Sequence, residues 1–416
     1  MSPPILTWII AAVATAGVIL RPFNWPEAVW AVAGACLLVA LKLLSPGDAL
    51  SGIAKGTDVY LFLIGMMLLA EIARQEGLFD WLAAVATRKA KGSATRLFLL
   101  IYAVGTIVTT FLSNDATAVV LTPAVAAAVK TAKADQPLPY LLICAFIANA
   151  ASFVLPISNP ANLVIYGSHM PPLLQWLPRY LLPSVLSIAA TYFVLRWTQR
   201  DALQQTIEAD VPVPELSGGG KTAGFGIVAT AIVLIVSSAF DIQLGLPTAI
   251  AGAVTAAVVL ISQRTSPWTT VKDISWGVLP LVAGLFVLVE ALDRTGLIAR
   301  LSQLLHDAAQ ASANETAWGA GVILAVATNL MNNLPAGLIA GSAVQTAHVP
   351  EQVTSAVLIG VDLGPNLSVT GSLATILWLT ALRREGQNVS AGTFLKLGCF
   401  VMPPALLLAI AAAVLV

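Results

Sequence analysis

Charge is what this chain has least of. Lys and Arg together number 21 and Asp and Glu another 21, so 10% of 416 residues are charged while 58% are hydrophobic. A soluble surface carries roughly a quarter to a third charged residues, and with a mean hydropathy of +0.86 the bulk solvent for this chain is lipid. The two signs cancel, which leaves no polybasic footprint and excludes nucleic acid as a partner. Cysteine is nearly absent: Cys36, Cys144 and Cys399 build no disulfide framework and read as packing residues. His169, His306 and His348 fall in loops or at span ends without metal-ligand spacing, so neither a metal nor a cofactor is called for. There is no GxSxG, no HExxH and no Walker A loop. An intramembrane enzyme has nothing to work with, and any use of ATP requires a partner subunit.

What the chain does have is long apolar runs. A span needs about 20 residues to cross roughly 30 Å of hydrocarbon, and ten such runs read near 5–20, 25–44, 57–74, 138–167, 173–197, 223–240, 246–263, 275–293, 352–381 and 393–415. The first has no charged segment before it and reads as a span, not a cleaved signal.

Two apolar segments fit this scheme poorly, about 97–130 and about 318–348. Each is interrupted at its centre, by FLSNDATAVVLTP and by NLMNNLPAGLIAGS. Asn, Asp and Pro disfavour continuous helix, and lipid-exposed irregular backbone is not tolerated at membrane depth. Each segment therefore reads as a re-entrant hairpin of two half-length helices, with a single kinked span as the alternative. Two further breaks, LPISNPANLVIYGS at 155–168 and VDLGPNLSVTGS at 361–372, interrupt the spans 138–167 and 352–381.

The chain also repeats. Gly65 and Gly284, Glu71 and Glu290, Gly77 and Gly296, and Asn114 and Asn333 are all 219 residues apart, and the two broken motifs recur in the same order. The expected fold is an all-α integral membrane protein of two repeats, 1–198 and 223–416, joined by a polar cytoplasmic linker at 199–222. Each repeat holds five spans and one hairpin. Five is odd, so the second repeat is inverted relative to the first. With both termini outside, only Lys42, Lys55, Arg179, Arg294 and Arg300 of the 21 basic residues fall on the outer face, in keeping with the positive-inside rule for an inner membrane. Segments 78–96 and 297–315 suit amphipathic helices lying in the interface, or solvated loops.

Broken helices aim dipoles and freed backbone groups at one point, a way to hold a small polar solute at mid-membrane depth. The candidate lining is Ser113, Asn114, Asp115 and Thr117, then Ser158, Asn159 and Asn162, then Asn332 and Asn333, then Asp362, Asn366, Ser368 and Thr370. Against this stands the reading that such residues merely satisfy backbone at a kink. Asp115 and Asp362 are the only acids in the broken motifs, and an intramembrane acid implies a partner or a task. Burial disfavours a carboxyl's charged form, which makes Asp115 the first candidate for carrying a proton and Asp362 the second. A plainer reading makes Asp115 the N-cap of the second hairpin arm. With no Lys or Arg at either tip, the lining suits a neutral polyhydroxyl solute better than a strong anion. Glu71 and Glu290, with Arg74 and Arg294 at helical spacing, read as interfacial ion pairs.

FLSNDATAVVLTP, LPISNPANLVIYG, MNNLPAGLIAG and above all DLGPNLSVTGSLATILWL resemble the signature segments of the arsenite-efflux permeases, the ArsB family of the ion transporter superfamily. That resemblance covers nearly the whole chain. It implies export of arsenite and antimonite, neutral trivalent hydroxides, driven by the proton gradient or by an associated soluble ATPase, through an elevator-type motion that confers arsenic resistance. By motif match it places Asn114, Asp115 and Thr117, Asn159 and Asn162, Asn332 and Asn333, and Asp362, Gly364, Pro365 and Asn366 at the site. The alternative is a sodium/proton antiporter or sodium/carboxylate transporter of the same superfamily. Against that alternative, the second tip reads Asn332-Asn333-Leu334-Pro335 where those symporters carry a Ser-Asn-Thr type tip.

Overall fold

A computed structural model of the chain describes residues 2–167 and 170–416. Ser168, at the end of the first expected break, and His169 lie outside the described residues. Among those described there is no strand, only an isolated bridge between Ser93 and Thr206.

Helices follow one another in an order that occurs twice. The first series is α1 (Pro3–Leu20), α2 (Glu27–Ala40), a pair α3 (Pro46–Lys55) and α4 (Thr57–Gln75) bent by 49°, then α5 (Leu78–Ala90) and α6 (Ala94–Phe111). It continues with α7 (Asn114–Ala116), which runs through a π-helical turn at Thr117–Leu121 into α8 (Thr122–Thr131), and ends with α9 (Leu138–Ala150), α10 (Pro160–Tyr166) and α11 (Leu173–Thr198). The second series is α12 (Gly218–Ala239), α13 (Gly245–Gln263), a pair α14 (Pro267–Asp273) and α15 (Val278–Arg294) bent by 44°, α16 (Leu297–Ala311) and α17 (Ala313–Met331). It closes with α18 (Asn333–Ala347), α19 (Glu351–Leu363), α20 (Leu373–Arg384) and α21 (Ala391–Leu415).

Local chemistry explains the boundaries. Gly77 (φ 74°) and Gly296 (φ 81°) stand between α4 and α5 and between α15 and α16, in the left-handed region that glycine enters without a Cβ penalty. The interruption between α9 and α10 runs through Pro156 and ends at Asn159, which caps α10 ahead of Pro160. Gly364 and Pro365 unwind the end of α19 into a 3-10 turn, and α20 restarts at the Ser372 cap. Of the segments 78–96 and 297–315, read as amphipathic helices or solvated loops, most of each is helical, as α5 and α16.

Among the described residues, six helices are long and apolar enough to cross a membrane, and eight if each bent pair counts as one span. Seven of the ten expected spans are among these eight, the eighth being α6; the other three fall short for physical reasons, since α2 has 14 residues, and α9–α10 and α19–α20 are each split into pieces too short to cross alone. The hairpin arms differ from expectation in length. α6 has 18 residues and α17 has 19, each about 27 Å or more at 1.5 Å per residue, well over half a span. Gly218–Gly220, read as linker, form the first turn of α12, because the Ser217 hydroxyl accepts the Gly220 N–H (2.8 Å) and caps it. A Cβ at Gly219 would run into the Glu76 carboxylate.

The two series pack reciprocally: α4 lies on α13 while α15 lies on α2. The repeated glycines are the crossing points. A Cβ at Gly65 would overlap the Thr248 backbone, and one at Gly284 the Ala31 backbone. Every residue of α10 and all but the first of α9 are buried, whereas α11, α12 and α13 present Phe193, Phe225 and Ile261 outward. Irregular backbone thus sits inside protein and regular helix faces lipid, as a bilayer requires.

Candidate functional site

The helix breaks converge. A cavity of about 30 Å³ is lined by Asn114 and Asp115 from the first hairpin tip, Asn159 and Pro160 from the first break, Asn333 and Leu334 from the second tip, and Leu373 and Ala374 from the start of α20, closed by Leu63, Val278 and Val282. Helix starts surround it, so backbone N–H groups and the positive ends of helix dipoles point inward. Its side-chain polar groups are three carboxamides and one carboxyl. Among the described residues, no Lys, Arg or His lines it.

Each tip is built by its own cap. Ser113 Oγ accepts the Ala116 N–H (3.2 Å), and Asn332 Oδ1 accepts the Leu334 N–H (3.3 Å) with φ at 72°, a left-handed conformation Asn tolerates. The cap of the first tip is therefore Ser113 and not Asp115, whose carboxyl is left to face the cavity. Asn114 Oδ1 accepts the Asp115 N–H (2.9 Å). The second tip is tied to its own half by Asn333 N–H donating to Gly371 O (2.8 Å).

The other candidates stand behind the cavity wall. Thr117 shares a hydrogen bond with Thr109 (2.8 Å) and joins the two arms of the first hairpin. Ser158 donates to Thr110 O (3.0 Å). Asn162 Nδ2 donates to Ser152 O (2.9 Å) and braces the break, while its Oδ1 is buried without a partner. Asn366 Oδ1 accepts from Asn149 Nδ2 (3.0 Å) and its Nδ2 donates to Phe146 O (3.0 Å). Asp362 is fully buried, with Oδ2 accepting from Ser152 Oγ (2.7 Å) and Oδ1 from Asn159 Nδ2 (2.8 Å). Gly364 permits a close helix approach, since a Cβ there would overlap Ala325 O, and Pro365 continues that turn. Ser368 donates to Asn329 Oδ1 (2.7 Å), and Thr370 Oγ1 to Asn329 O (2.9 Å).

Sequence reasoning missed Asn149, Ser152 and Asn329. Asn149 had a signal, since it is an amide within the otherwise apolar run LICAFIANA. Ser152 and Asn329 look like the ordinary small polar residues of a membrane helix.

A wider vestibule of about 420 Å³ shares Leu63, Asp115, Pro160 and Val278 with the cavity and opens past Glu71, Arg74, Asp273 and Arg384. Three of its charged groups are linked: Arg74 binds Glu71 (2.5 Å) and Asp273 (3.0 Å). At the corresponding place in the second series, Glu290 binds Arg294 (3.2 Å) and Lys55 (2.5 Å), and Arg294 reaches Asp48 (2.6 Å). The ion-pair expectation for both glutamates holds, with the addition that each cluster bridges the two series.

An all-helical, multi-pass membrane protein whose helix breaks meet at a buried polar cavity belongs to the class of membrane transporters, not enzymes. The chain is a member of the citrate transporter family CitMHS, of the ion transporter superfamily, whose family profile matches residues 8–363. Among curated relatives, it is 27% identical over 360 residues to an arsenical pump membrane protein of Yersinia enterocolitica, covering 84% of each chain. It is 26% identical over 406 residues to one of Escherichia coli (strain K12), covering 92% of each. Among solved structures it resembles the YdaH transporter of Alcanivorax borkumensis, with a TM-score of 0.59 at 15% identity over 99% of this chain and 98% of that one. It also resembles MtrF of Neisseria gonorrhoeae, with a TM-score of 0.55 at 11% identity over 100% of this chain and 95% of that one. These two likenesses concern the fold.

Proposed function

We propose that the protein is a secondary transporter that exports arsenite and antimonite from the cytoplasm in exchange for protons. The observation that carries this reading is the cavity lining: Asn114 and Asn333 offer hydrogen bonds in both directions, Asn159 keeps one N–H donor free, one acid stands beside them, and no cation is among the described lining residues. Arsenous acid is a neutral trihydroxide at physiological pH and needs donors and acceptors, not a counter-charge. A thiolate site is the rival for a soft metalloid. Cys144 is buried in α9 while Cys36 and Cys399 are exposed on other helices, which does not bring three sulfurs together. The names of the relatives point the same way.

Asp115 is the proton carrier in this reading. It lines both the cavity and the vestibule, so it exchanges protons with water on the vestibule side and meets the solute on the other. A cavity needs roughly 10–15 Å³ to hold one water, so about 30 Å³ is too small for the solute, and the site must widen to load. If the two series are inverted repeats with both termini outside, the vestibule faces the cytoplasm and the structure is inward-facing. Hairpins and broken helices then move together against α1–α4 and α12–α15 as an elevator. An ATPase partner is not required for this cycle.

A carboxylate such as citrate, which the family's name suggests, is the second reading. It lacks a basic residue in the cavity to meet it. Everted membrane vesicles with an imposed proton gradient and no ATP separate the two: accumulation of arsenite supports the proposal, and accumulation of citrate without arsenite overturns it. For topology, a cysteine at exposed Glu215 in a chain with Cys36 and Cys399 replaced by Ser should resist an impermeant thiol reagent in intact cells. Labelling from outside would overturn the orientation.

A further inference from the structure

The two short helices at the site begin with caps that do more than cap. Asn159 starts α10 by accepting the Ala161 N–H on Oδ1 (3.0 Å), and Ser372 starts α20 by accepting the Thr375 N–H (3.1 Å). Each cap also reaches into the other series. Asn159 Nδ2 donates to Asp362 Oδ1 on α19 (2.8 Å), and Ser372 Oγ donates to Asn149 Oδ1 on α9 (3.3 Å). The separation between Asn149 and Asp362 equals that between Asn159 and Ser372, so the two bonds form a crossed pair at matched places. They differ in one respect. One cap is held by a carboxylate-bearing side chain and the other by a neutral amide.

Of the two caps, only the carboxyl-held one lines the cavity. Asn159 lines it, whereas Ser372 and Asn149 do not. Its Oδ1 is committed to Ala161 and one Nδ2 hydrogen to Asp362, which leaves a single N–H donor in a plane fixed by the other two bonds. Asp362 is itself fixed by the second bond, from Ser152 Oγ, and is absent from the cavity wall.

We propose that Asp362 is a positioning residue, which acts through Asn159 by holding that carboxamide so that its remaining N–H points at the solute. This rests on the reading of the cavity as the solute site. It assigns Asp362 a different task from Asp115: orientation of the binding group, not carriage of the proton.

The test is arsenite uptake into everted vesicles, analysed for KM and maximal rate, with Asp362→Ala, Asp362→Asn, Asn159→Ala, Asn114→Ala and the double variants. Asp362→Ala is expected to raise the arsenite KM about tenfold, with the effect concentrated in KM. Asp362→Asn should restore KM to within about threefold, because its oxygen can accept from Asn159 and its amide can donate to the Ser152 hydroxyl. In the Asn159→Ala background Asp362→Ala should add nothing, while in the Asn114→Ala background the two effects should multiply. Loss of gradient-driven uptake in Asp362→Asn, or a full Asp362→Ala effect without the Asn159 side chain, overturns the proposal. If Asp362→Ala is not recovered folded, as judged by size-exclusion elution, Asp362→Asn alone decides by the same criterion. If Asn114→Ala leaves uptake untouched, the cavity is not the solute site and the underlying reading fails instead.

Discussion

The two hairpin tips, Ser113-Asn114-Asp115 and Asn332-Asn333-Leu334, occupy corresponding places and are built alike. In each a polar side chain accepts a backbone N–H to start the returning arm, and in each the middle Asn lines the cavity. The third position differs. Where the first tip offers a carboxyl, the second offers Leu334, and both face the same space. The first arm also relaxes through a π-helical turn at Thr117–Leu121 whereas α18 is a regular helix, and such turns are frequent at functional sites. The two tips share a frame, and only the first gives it a charge-bearing side.

The largest expected effect comes from erasing that difference. Asp115→Asn keeps shape and the capping by Ser113, so the protein should fold, yet gradient-driven arsenite uptake into vesicles should fall by roughly 100-fold or more, the scale of a lost proton-transfer group. Full uptake by this variant would remove Asp115 as proton carrier. Moving the acid sharpens the comparison. Asp115→Leu combined with Leu334→Asp conserves composition and cavity volume, and uptake should stay at least about tenfold below the parent chain, because a carboxyl on the second tip has no shared wall with the vestibule. Recovery to parental rates would mean that either tip can serve.

Smaller effects test what the two series of helices share. Gly65→Ala and Gly284→Ala should each lower stability by about 1–3 kcal/mol, since the added methyl meets backbone that cannot move aside. Thermal melts in detergent check this, and a drop in only one of the two would break the equivalence of the crossings. The smallest effect belongs to the ion clusters. Arg74→Gln removes a side chain that is 44% exposed from Glu71, which is 7% exposed as a residue, and solvent screening limits the cost to about 1 kcal/mol. Uptake should change less than about threefold. A much larger loss would give Glu71 a role in transport beyond its pairing.

Much of this was legible in the chain because it is local. Gly77 and Gly296 announce tight helix ends through a conformation that favours glycine. Pro160 behind Asn159, and Leu373 behind Ser372, announce helix starts through the cap. The scarcity of charge announces the bilayer. Other features misled for equally local reasons: Gly218–Gly220 look like linker until Ser217 caps them, and α6 looks like a half-length hairpin arm until its full 18 residues are seen to be helical.

By itself the sequence determined that the chain lives in lipid, that it breaks at four polar motifs, and that two of those motifs repeat, since hydropathy, capping and backbone preference are set by neighbours in the chain. Only the tertiary structure decided which polar groups share the cavity. It left Thr117, Asn162 and Asn366 behind the wall, brought Asn149 and Ser152 to Asn366 and Asp362 from more than half the chain length away, and made Gly65 a crossing point. A hydrogen bond across two packed helices depends on their separation and rotation, and those are fixed by the fit of all the side chains between them.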